Sequence, residues 1–303
     1  MGALAAGSSN ASARRRARTA RIARRTLRVV VVLLLALWIV APLYFLLLVA
    51  LQSKADSLQT PPVWLPKPDF SNFTSIFRHA FSGEPPSNPS DLIFPGIRNS
   101  AIVAVSVAAI NVALGSLSGY ALARFRFPGS RTIPVAMLGS QMVPIFALVI
   151  PFYIVLRNLG LTNTRQGVVI AQLAYTLPFT VWLLRAYFQS VPIDVDRAAR
   201  VDGCNRWTVF WRVVLPLARP GLISAGLFAF MVSWNDFLFP VVLNQNVDAM
   251  LVQPAIAGLY NVREQSFGIM AAGTIISAVP TMVLALVCQR FLVRGLLSGT
   301  GKG

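Results

Sequence analysis

The sequence predicts an all-α protein that crosses a membrane about six times. Of its 303 residues, 55% are apolar and only 12% are charged, whereas soluble domains carry about 25% charged residues. Mean hydropathy is +0.64. Six separate apolar segments are each long enough for a membrane helix, which needs about 20 residues. So few charges could not keep a large surface in water, and lipid is therefore the expected solvent for the excess apolar side chains.

The six apolar segments differ in composition. They lie at Val29–Leu51, Asn99–Ala123, Ile133–Arg157, Gly167–Phe188, Pro220–Leu243 and Phe267–Val293. The first consists almost entirely of Val, Leu, Ile and Ala. The others also contain Gly, Ser, Thr and Pro, which favours helices packed against other helices. Four prolines within these segments are each able to kink a helix: Pro144, Pro151, Pro178 and Pro280.

The basic residues are divided unevenly between the two sides of the predicted membrane. A net charge of +17 is also typical of nucleic-acid-binding proteins. If the amino terminus is cytoplasmic, 20 of the 27 Lys and Arg residues fall on the cytoplasmic side and seven fall outside. This is the positive-inside bias of membrane proteins. We therefore predict a multi-pass membrane protein with both termini cytoplasmic and no nucleic-acid partner.

The predicted spans divide the chain into five regions. They are a basic cytoplasmic segment at 1–28, a first transmembrane helix at 29–51, an extracytoplasmic loop at 52–98, a core of five transmembrane helices at 99–296, and a cytoplasmic tail at 297–303. Arg24 and Arg25 loosely resemble a twin-arginine export signal. The apolar stretch after them is, however, longer than the roughly 7–15 residues of a signal peptide. We therefore predict an uncleaved first helix.

The 52–98 loop contains eight prolines, so long regular structure is not expected there. Its aromatic residues are Trp64, Phe70, Phe73, Phe77 and Phe81. Two roles are open for them. They either pack against the outer membrane face or form a docking surface for an external partner.

No pattern of residues typical of an enzyme emerges. Cys204 and Cys288 lack the CxxC spacing of redox and zinc sites. His79, the single histidine, lies in a polar, proline-rich stretch where a surface position is expected. The last five residues lack the glycine spacing and the Ser or Thr of a phosphate-binding loop. We predict no catalytic residue, no metal site and no cofactor in this chain.

The most informative polar stretch is 190–220, between the fourth and fifth spans. Ser190 is expected to cap a short helix, in which the carboxylates of Asp194 and Asp196 suit the positive end of the helix dipole. Residues at i, i+3, i+4 and i+7 spacing share one face with small side chains: Val195, Ala198, Ala199 and Asp202. Gly203 then predicts a stop and a change of direction.

A second helix is predicted after this glycine. One of its faces carries Trp207, Phe210, Trp211 and Val214, and Leu215-Pro216 ends it. Two short helices joined at a glycine would lie across the membrane surface. Such an element either fits a groove of a soluble partner and passes its movement to the adjoining spans, or is an amphipathic surface helix without a partner. Periodicity alone leaves both interpretations open.

The run Asp196–Gly203, with Leu215-Pro216 beyond it, resembles the "EAA" loop of ABC-importer permeases. When its alanine pair and glycine are aligned with that pattern, the glutamate of the pattern falls on Arg197, which is a departure. Further stretches resemble the carbohydrate branch of the family, of the maltose-permease G-subunit type. They are Asn99-Ser100, Tyr120–Phe125, Phe127–Gly129, Trp234–Phe237 and Gln289–Leu296.

The resemblance implies a permease of the bacterial cytoplasmic (inner) membrane, which forms half of a membrane pathway beside a second homologous permease. Two ABC ATPase subunits would bind ATP and Mg and dock on the EAA loop, and an extracytoplasmic solute-binding protein would deliver a sugar, a polyol or a glycerol-phosphate. The residues implied in ATPase coupling are Asp194, Asp196, Arg197, Ala198, Ala199, Asp202, Gly203, Leu215 and Pro216. An ABC permease for amino acids or peptides is the alternative.

Polar residues inside the predicted spans are candidates for the substrate pathway, because unpaired polar groups are costly in lipid. Gln141, Gln172 and Tyr175 either meet the substrate or hold helices together. Asn235 is a further pathway candidate. Asp236, near the outer end of the fifth span, either meets the substrate or binding protein or faces water. No Asp or Glu is predicted at mid-membrane depth, which argues against a proton-driven transporter.

Overall fold

A computed structural model describes residues 3–53, 55, 56, 59, 64, 66–82, 88–261 and 267–300, with side chains described within 23–78, 88–260 and 267–287. In this part of the chain, all regular secondary structure is helical, and the predicted all-α class is confirmed. The side chains of His79 and Cys288, and residues 301–303 of the predicted tail, lie outside the described residues.

Thirteen α-helices are present in the described ranges. They are α1 (Ala3–Ala50), α2 (Ser71–Ser82), α3 (Ile93–Arg124), α4 (Thr132–Ser140), α5 (Ile145–Asn158), α6 (Arg165–Ser190), α7 (Ile193–Val201), α8 (Arg206–Thr208), α9 (Leu215–Leu217), α10 (Arg219–Trp234), α11 (Leu238–Leu243), α12 (Val252–Gly258) and α13 (Phe267–Thr300). A π-helical turn, Val209–Val214, joins α8 to α9.

Among the described residues, four helical stretches are long and apolar enough to cross a bilayer. Two bent helix pairs raise the number of candidate spans to as many as six: Thr132–Ser140 with Ile145–Asn158, and Arg206–Leu217 with Arg219–Trp234. The four stretches are Ala23–Ala50, Pro89–Arg124, Arg165–Ser190 and Phe267–Val287. They correspond to the first, second, fourth and sixth apolar segments. The prediction of about six spans is thus confirmed in number, but two of the predicted segments are not single helices.

The predicted third span, Ile133–Arg157, is broken. Helices α4 and α5 meet at 94°, and Pro144 occupies the N-cap of α5 with extended ψ. A proline has no N–H to donate and disfavours helical geometry in the residue before it, so a break at this position has a local cause. Pro151, Pro178 and Pro280, by contrast, lie inside continuous helices.

The predicted fifth span, Pro220–Leu243, is also interrupted. Helix α10 ends at Trp234, and the chain turns through 235–237 before α11 begins. At a rise of about 1.5 Å per residue, the 16 residues of α10 are shorter than the roughly 30 Å hydrocarbon core of a bilayer. Both interruptions place non-helical backbone within a segment that hydropathy alone presents as continuous.

Helix α3 is the centre of the bundle and packs on α6 and α10. Two glycines on its α6-facing side, Gly115 and Gly119, allow the backbones to approach closely. A Cβ atom at Gly119 would lie 3.0 Å from the backbone nitrogen of Arg185. Small residues four apart are a common basis for close helix packing in membranes.

Helix α1 lies at the edge of the bundle. The most apolar 18-residue stretch of its Ala23–Ala50 span contains no buried residue, and Trp38 is 80% exposed, as expected for a lipid-facing helix. Only its outer end is covered, where Leu48 and Ala50 are buried. The Asn72 amide of α2 donates to the Ala50 and Gln52 carbonyls at 3.0 and 2.9 Å. These hydrogen bonds attach α2 to the C-terminal end of α1.

Helix α2, of 12 residues, lies in the 52–98 loop, where long regular structure was not expected. It occupies a stretch between the prolines at 68 and 85. Phe73 and Phe77 pack against a buried cluster with α1 and α13. Trp64 and Phe70 are exposed, and the side chain of Phe81 lies outside the described residues. The loop thus uses some aromatics for packing and leaves others on the surface.

Candidate functional site

The first helix of the 190–220 segment, α7, begins at Ile193 with Pro192 as its N-cap residue. Ser190 does not cap it. This serine ends α6, and its hydroxyl donates back to the Tyr187 carbonyl at 2.7 Å. Asp194 and Asp196 do lie in the first turn of α7, where the helix dipole favours carboxylates.

Asp196 forms a buried joint with the end of α3. Arg124 donates from Nε and Nη2 to the two carboxylate oxygens of Asp196 at 3.1 and 3.0 Å. The Tyr120 hydroxyl donates to the same carboxylate at 3.1 Å. Arg124 also donates to the Val191 carbonyl at 2.9 Å. One guanidinium therefore ties α3 both to α7 and to the turn that precedes it, in the bidentate geometry that favours a rigid pair.

Aromatic packing surrounds this ion pair. The Tyr120 ring lies with its centroid 5.7 Å from that of Phe188 in α6 and 4.9 Å from that of Phe210 in the π-turn. Phe188, Phe210 and Ala199 belong to one buried apolar cluster. Exclusion of water strengthens the charge pair, and packing at interior density makes the joint stiff. We call Tyr120, Arg124 and Asp196 the α3–α7 joint.

Gly203 ends α7 in a Schellman motif. Its φ is +84°, a left-handed conformation that favours glycine. The Gly203 N–H donates to the Arg200 carbonyl at 3.1 Å, and the Cys204 N–H donates to the Ala199 carbonyl at 3.0 Å, which is the hydrogen-bond pair of this motif. Asn205 then caps the next helix by accepting from the Thr208 N–H at 2.8 Å. The predicted stop at Gly203 is confirmed.

The second helical stretch differs from prediction because it contains the π-turn. In a π-helix hydrogen bonds join residues five apart, so Val209 and Val214 share the buried side with Phe210. Trp207 and Trp211 are exposed instead, and the predicted single aromatic face is split. The second stretch ends at Leu217, one residue beyond the predicted Leu215-Pro216, and the chain bends by 77° before α10 begins at Arg219.

The outward face of α7 also differs from the predicted one. Ala199 is only 9% exposed and packs inward with Asp196. Ala198 and Asp202 face outward, and Val201 is 88% exposed. The exposed Arg197 and Asp194 pair at 3.0 Å on the same surface. Ala199 lies three positions from the ion-paired Asp196 and turns inward with it, which periodicity without knowledge of the joint could not reveal.

The polar residues predicted inside the membrane form a connected network. Gln172 is 0% exposed and donates to the Asp236 carboxylate at 2.8 Å. Its amide oxygen accepts from the Ser233 hydroxyl. Thr176 donates to the Gln172 carbonyl and accepts from Asn111, each at 2.8 Å. Helices α3 and α6 and the end of α10 are thereby joined by hydrogen bonds that satisfy Gln172 completely.

The other pathway candidates lie at the two broken spans. Gln141 is exposed at the α4–α5 break, and its amide donates to the Tyr175 carbonyl at 3.0 Å. The Tyr175 ring stacks on Phe239 at 5.6 Å between centroids. Asn235 is exposed at the end of α10 and donates to the Met231 carbonyl at 2.8 Å. The Asp236 carboxylate accepts from the N–H of Leu238, the first residue of α11, at 3.0 Å.

Two residues of the joint, Tyr120 and Arg124, were not identified as site residues from the sequence. Their signal was present, because both lie in the Tyr120–Phe125 stretch at the cytoplasmic end of the second predicted span. Their pairing with Asp196, 72 residues away from Arg124, is a tertiary contact. Among the described residues, no group of three His, Cys, Asp or Glu side chains is placed to hold a metal ion.

Comparisons with known proteins agree on one family. The model of the family described as "Binding-protein-dependent transport system inner membrane component" matches residues 111–297. The chain is 34% identical over 275 residues to the diacetylchitobiose uptake system permease protein NgcG of Streptomyces coelicolor, covering 88% of this chain and 86% of the relative. It is 31% identical over 284 residues to the trehalose/maltose transport system permease protein MalG of Thermococcus litoralis, covering 93% and 98%.

A solved structure shares the fold. A chain from the crystal structure of a bacterial ABC transporter involved in the import of the acidic polysaccharide alginate superposes with a TM-score of 0.74 at 23% identity. The superposition covers 87% of this chain and 94% of that chain. The family match extends over more than half of the sequence, and the relatives exceed 30% identity over most of it. The chain therefore belongs to the family of inner membrane components of binding-protein-dependent transport systems, as a permease subunit of the ABC-transporter type.

Proposed function

We propose that this permease imports a carbohydrate and that its 190–220 segment receives the movement of separate ATPase subunits. The α3–α7 joint is the observation that carries the proposal. A surface helix needs no buried bidentate ion pair to lie on a membrane. A helix that transmits force does need one, because a mobile attachment would absorb the movement before it reached the spans.

In this proposal, ATP and Mg bind only to two partner ATPase subunits. Closure of the ATPase pair would displace the outward face of α7, formed by Arg197, Ala198 and Val201. The joint would pass the displacement to α3, which packs on α6 and α10. ATP can shift the resting equilibrium only through different affinity for the two states of the complex, so the connection between α7 and α3 must be stiff in both.

The proposed pathway runs beside the two broken spans. Non-helical backbone at membrane depth is tolerated where it is buried in protein or lines a water-filled cavity. The α4–α5 break around Gln141 is exposed on this subunit, which supports a position facing the pathway or a second homologous permease. Gln141, Tyr175 and Asn235 offer amide and aromatic groups to a sugar. Gln172 and Asp236, which bond each other, would position the break after α10 against α6.

A carbohydrate is the proposed substrate class because the relatives described above are named for diacetylchitobiose and for trehalose/maltose uptake. An extracytoplasmic solute-binding protein would deliver it. Uptake of labelled mono- and disaccharides by cells with and without this gene tests the assignment. Loss of uptake of one sugar in the deletion strain is expected. Unchanged sugar uptake together with lost uptake of an amino acid or peptide would favour the alternative solute class.

A cysteine at Val201 is expected to crosslink to an ATPase subunit, because this side chain projects from the outward face of α7. The parent protein carries Cys204→Ser and Cys288→Ser, and Ala199→Cys is the matched control on the buried side of the same helix. Val201→Cys should also react with a membrane-impermeant maleimide in inverted vesicles but not in intact cells. Labelling in intact cells would overturn the proposed cytoplasmic position of the segment and, with it, the proposed placement of both termini.

A further inference from the structure

A small cavity rich in arginine lies where α7 meets the end of α3. Its volume is about 210 Å³. Among the residues that line it are four arginines and one acidic residue, Asp196. The arginines are Arg124, Arg197, Arg200 and Arg206. Since Arg124 neutralises Asp196 within the joint, the remaining three give the cavity an excess of positive charge.

Two of these arginines have no anionic partner within the described part of the chain. The side chains of Arg200 and Arg206 form neither a hydrogen bond nor an ion pair there. Arg206 instead places its guanidinium carbon 5.2 Å from the centre of the Phe125 ring, a cation–π contact that orients the group and leaves its N–H donors available. Arg197 has Asp194 as a partner, but both side chains are highly exposed and such pairs are weak.

An apolar groove of about 350 Å³ adjoins the arginine cavity. The two share Tyr120, Phe125 and Arg206 in their walls. The groove continues along α3 past Ala121 and Leu117, toward the lipid-exposed part of that helix, with Trp207 on its other side. Trp207 is 64% exposed and Leu117 37%. A positively charged cavity is thus continuous with an apolar channel that runs along a transmembrane helix.

We propose that this combined site binds an anionic phospholipid of the inner leaflet. The phosphate would accept hydrogen bonds from Arg200 and Arg206, and one acyl chain would follow the groove beside Ala121 and Trp207. Arginine forks match phosphate geometry, and basic pockets between helices on the cytoplasmic side of a membrane are typical lipid-headgroup sites. The proposal uses the cytoplasmic orientation of the 190–220 segment, but does not require that an ATPase docks there.

The groove is what favours a lipid over an acidic side chain of a partner protein. A carboxylate from a soluble partner would need the arginines alone and would leave the adjoining apolar surface uncovered. A phospholipid matches both parts of the site. Its charged headgroup would lie in the arginine cavity, and its apolar acyl chain would lie in the adjoining groove. Bound there, it would contact Tyr120 and Arg124 from outside, and anionic lipid would therefore stabilise the α3–α7 joint.

The test measures lipid bound to the purified, assembled transporter by native mass spectrometry during titration with phosphatidylglycerol. Arg200→Gln with Arg206→Gln is expected to weaken binding about 25-fold, at roughly fivefold for each arginine near the membrane surface. Ala121→Phe is expected to weaken binding as well by filling the groove without changing charge. Arg212→Gln, an exposed arginine of the same segment outside the cavity lining, is the control and should bind normally.

The two kinds of variant distinguish the possible ligands. Weaker phosphatidylglycerol binding in both the arginine pair variant and Ala121→Phe supports the lipid site. Binding that is unchanged in both overturns it. If Ala121→Phe binds normally while the arginine pair variant loses its ATPase subunits on purification, the arginines bind an acidic protein partner and the lipid proposal is wrong. Inorganic phosphate that displaces the lipid completely would show a headgroup site without an acyl groove, which also contradicts the proposal.

Discussion

Replacing Asp196 by alanine is expected to abolish uptake and to lower the stability of the permease. The substitution leaves Arg124 buried without its partner, since the two side chains are only 7% and 12% exposed. Breaking a buried ion pair by removing one member costs about 3–5 kcal/mol. Helix α7 would then be held to α3 only by apolar packing. Labelled-sugar uptake and the thermal unfolding midpoint of the purified complex measure the two effects.

Two further variants separate the stability effect from the transport effect. Asp194→Asn removes a carboxylate from the same helix, but from an exposed pair, and should change stability by less than about 1 kcal/mol. The double variant Arg124→Gln with Asp196→Asn removes both charges and should be less destabilised than the sum of the single changes. We expect it to remain poor in uptake, because the bidentate connection is still missing. Normal uptake by Asp196→Ala would rule out the joint as the transmitting contact.

Replacing Gly203 by proline is expected to abolish transport while the protein remains in the membrane. Proline fixes φ near about −65°, whereas Gly203 has φ +84°. The ring also removes the N–H that donates to Arg200. The end of α7 would lose its Schellman motif, and the two short helices would no longer hold one relative direction. Uptake, ATPase rate and the amount of protein in the membrane are the measurements.

Gly160 is a matched control for Gly203. It shows whether a loss of transport comes from the place of Gly203 in the 190–220 segment or from backbone strain alone. Gly160 also has a left-handed backbone, with φ +69°, and like Gly203 has no atom within 4 Å of an added Cβ. Alanine at either position should cost a similar amount, about 1–3 kcal/mol of strain. We expect Gly203→Ala to reduce uptake relative to ATP hydrolysis and Gly160→Ala to leave their ratio unchanged. An equal effect of both variants would contradict the special role of the bend in 190–220.

The number of candidate spans was largely predictable, because apolar length is a property of the chain itself. The breaks at Gln141–Pro144 and after Trp234 were not predicted as breaks. Hydropathy averages over a window and does not record whether the backbone inside it is helical. Pro144 was a visible signal, but Pro151, Pro178 and Pro280 carry the same signal and lie in continuous helices. Packing by neighbouring helices decides which proline interrupts a span.

The location of the candidate site in the 190–220 segment was predictable from the sequence. Which face of α7 is buried against the bundle was not. The stop at Gly203 follows from local backbone preference and was correct. The direction in which α7 faces depends on Asp196, which pairs with an arginine 72 residues earlier in the chain. Likewise, the π-turn at 209–214 moves Trp207 and Trp211 to the surface, although an α-helical pattern groups them with buried residues. The substrate-pathway residues remain predictions.

The sequence by itself determined that lipid surrounds the apolar segments, how many candidate spans there are, and where the polar segment between the fourth and fifth spans lies. These depend on composition and on periodicity over neighbouring residues. Only the tertiary structure decided which side of α7 is buried, that Gln172 is hydrogen-bonded to Ser233 and Asp236, and that arginines from three helices line one cavity. Contacts between distant residues carry these features, and a charge or amide in the sequence does not state which partner will satisfy it.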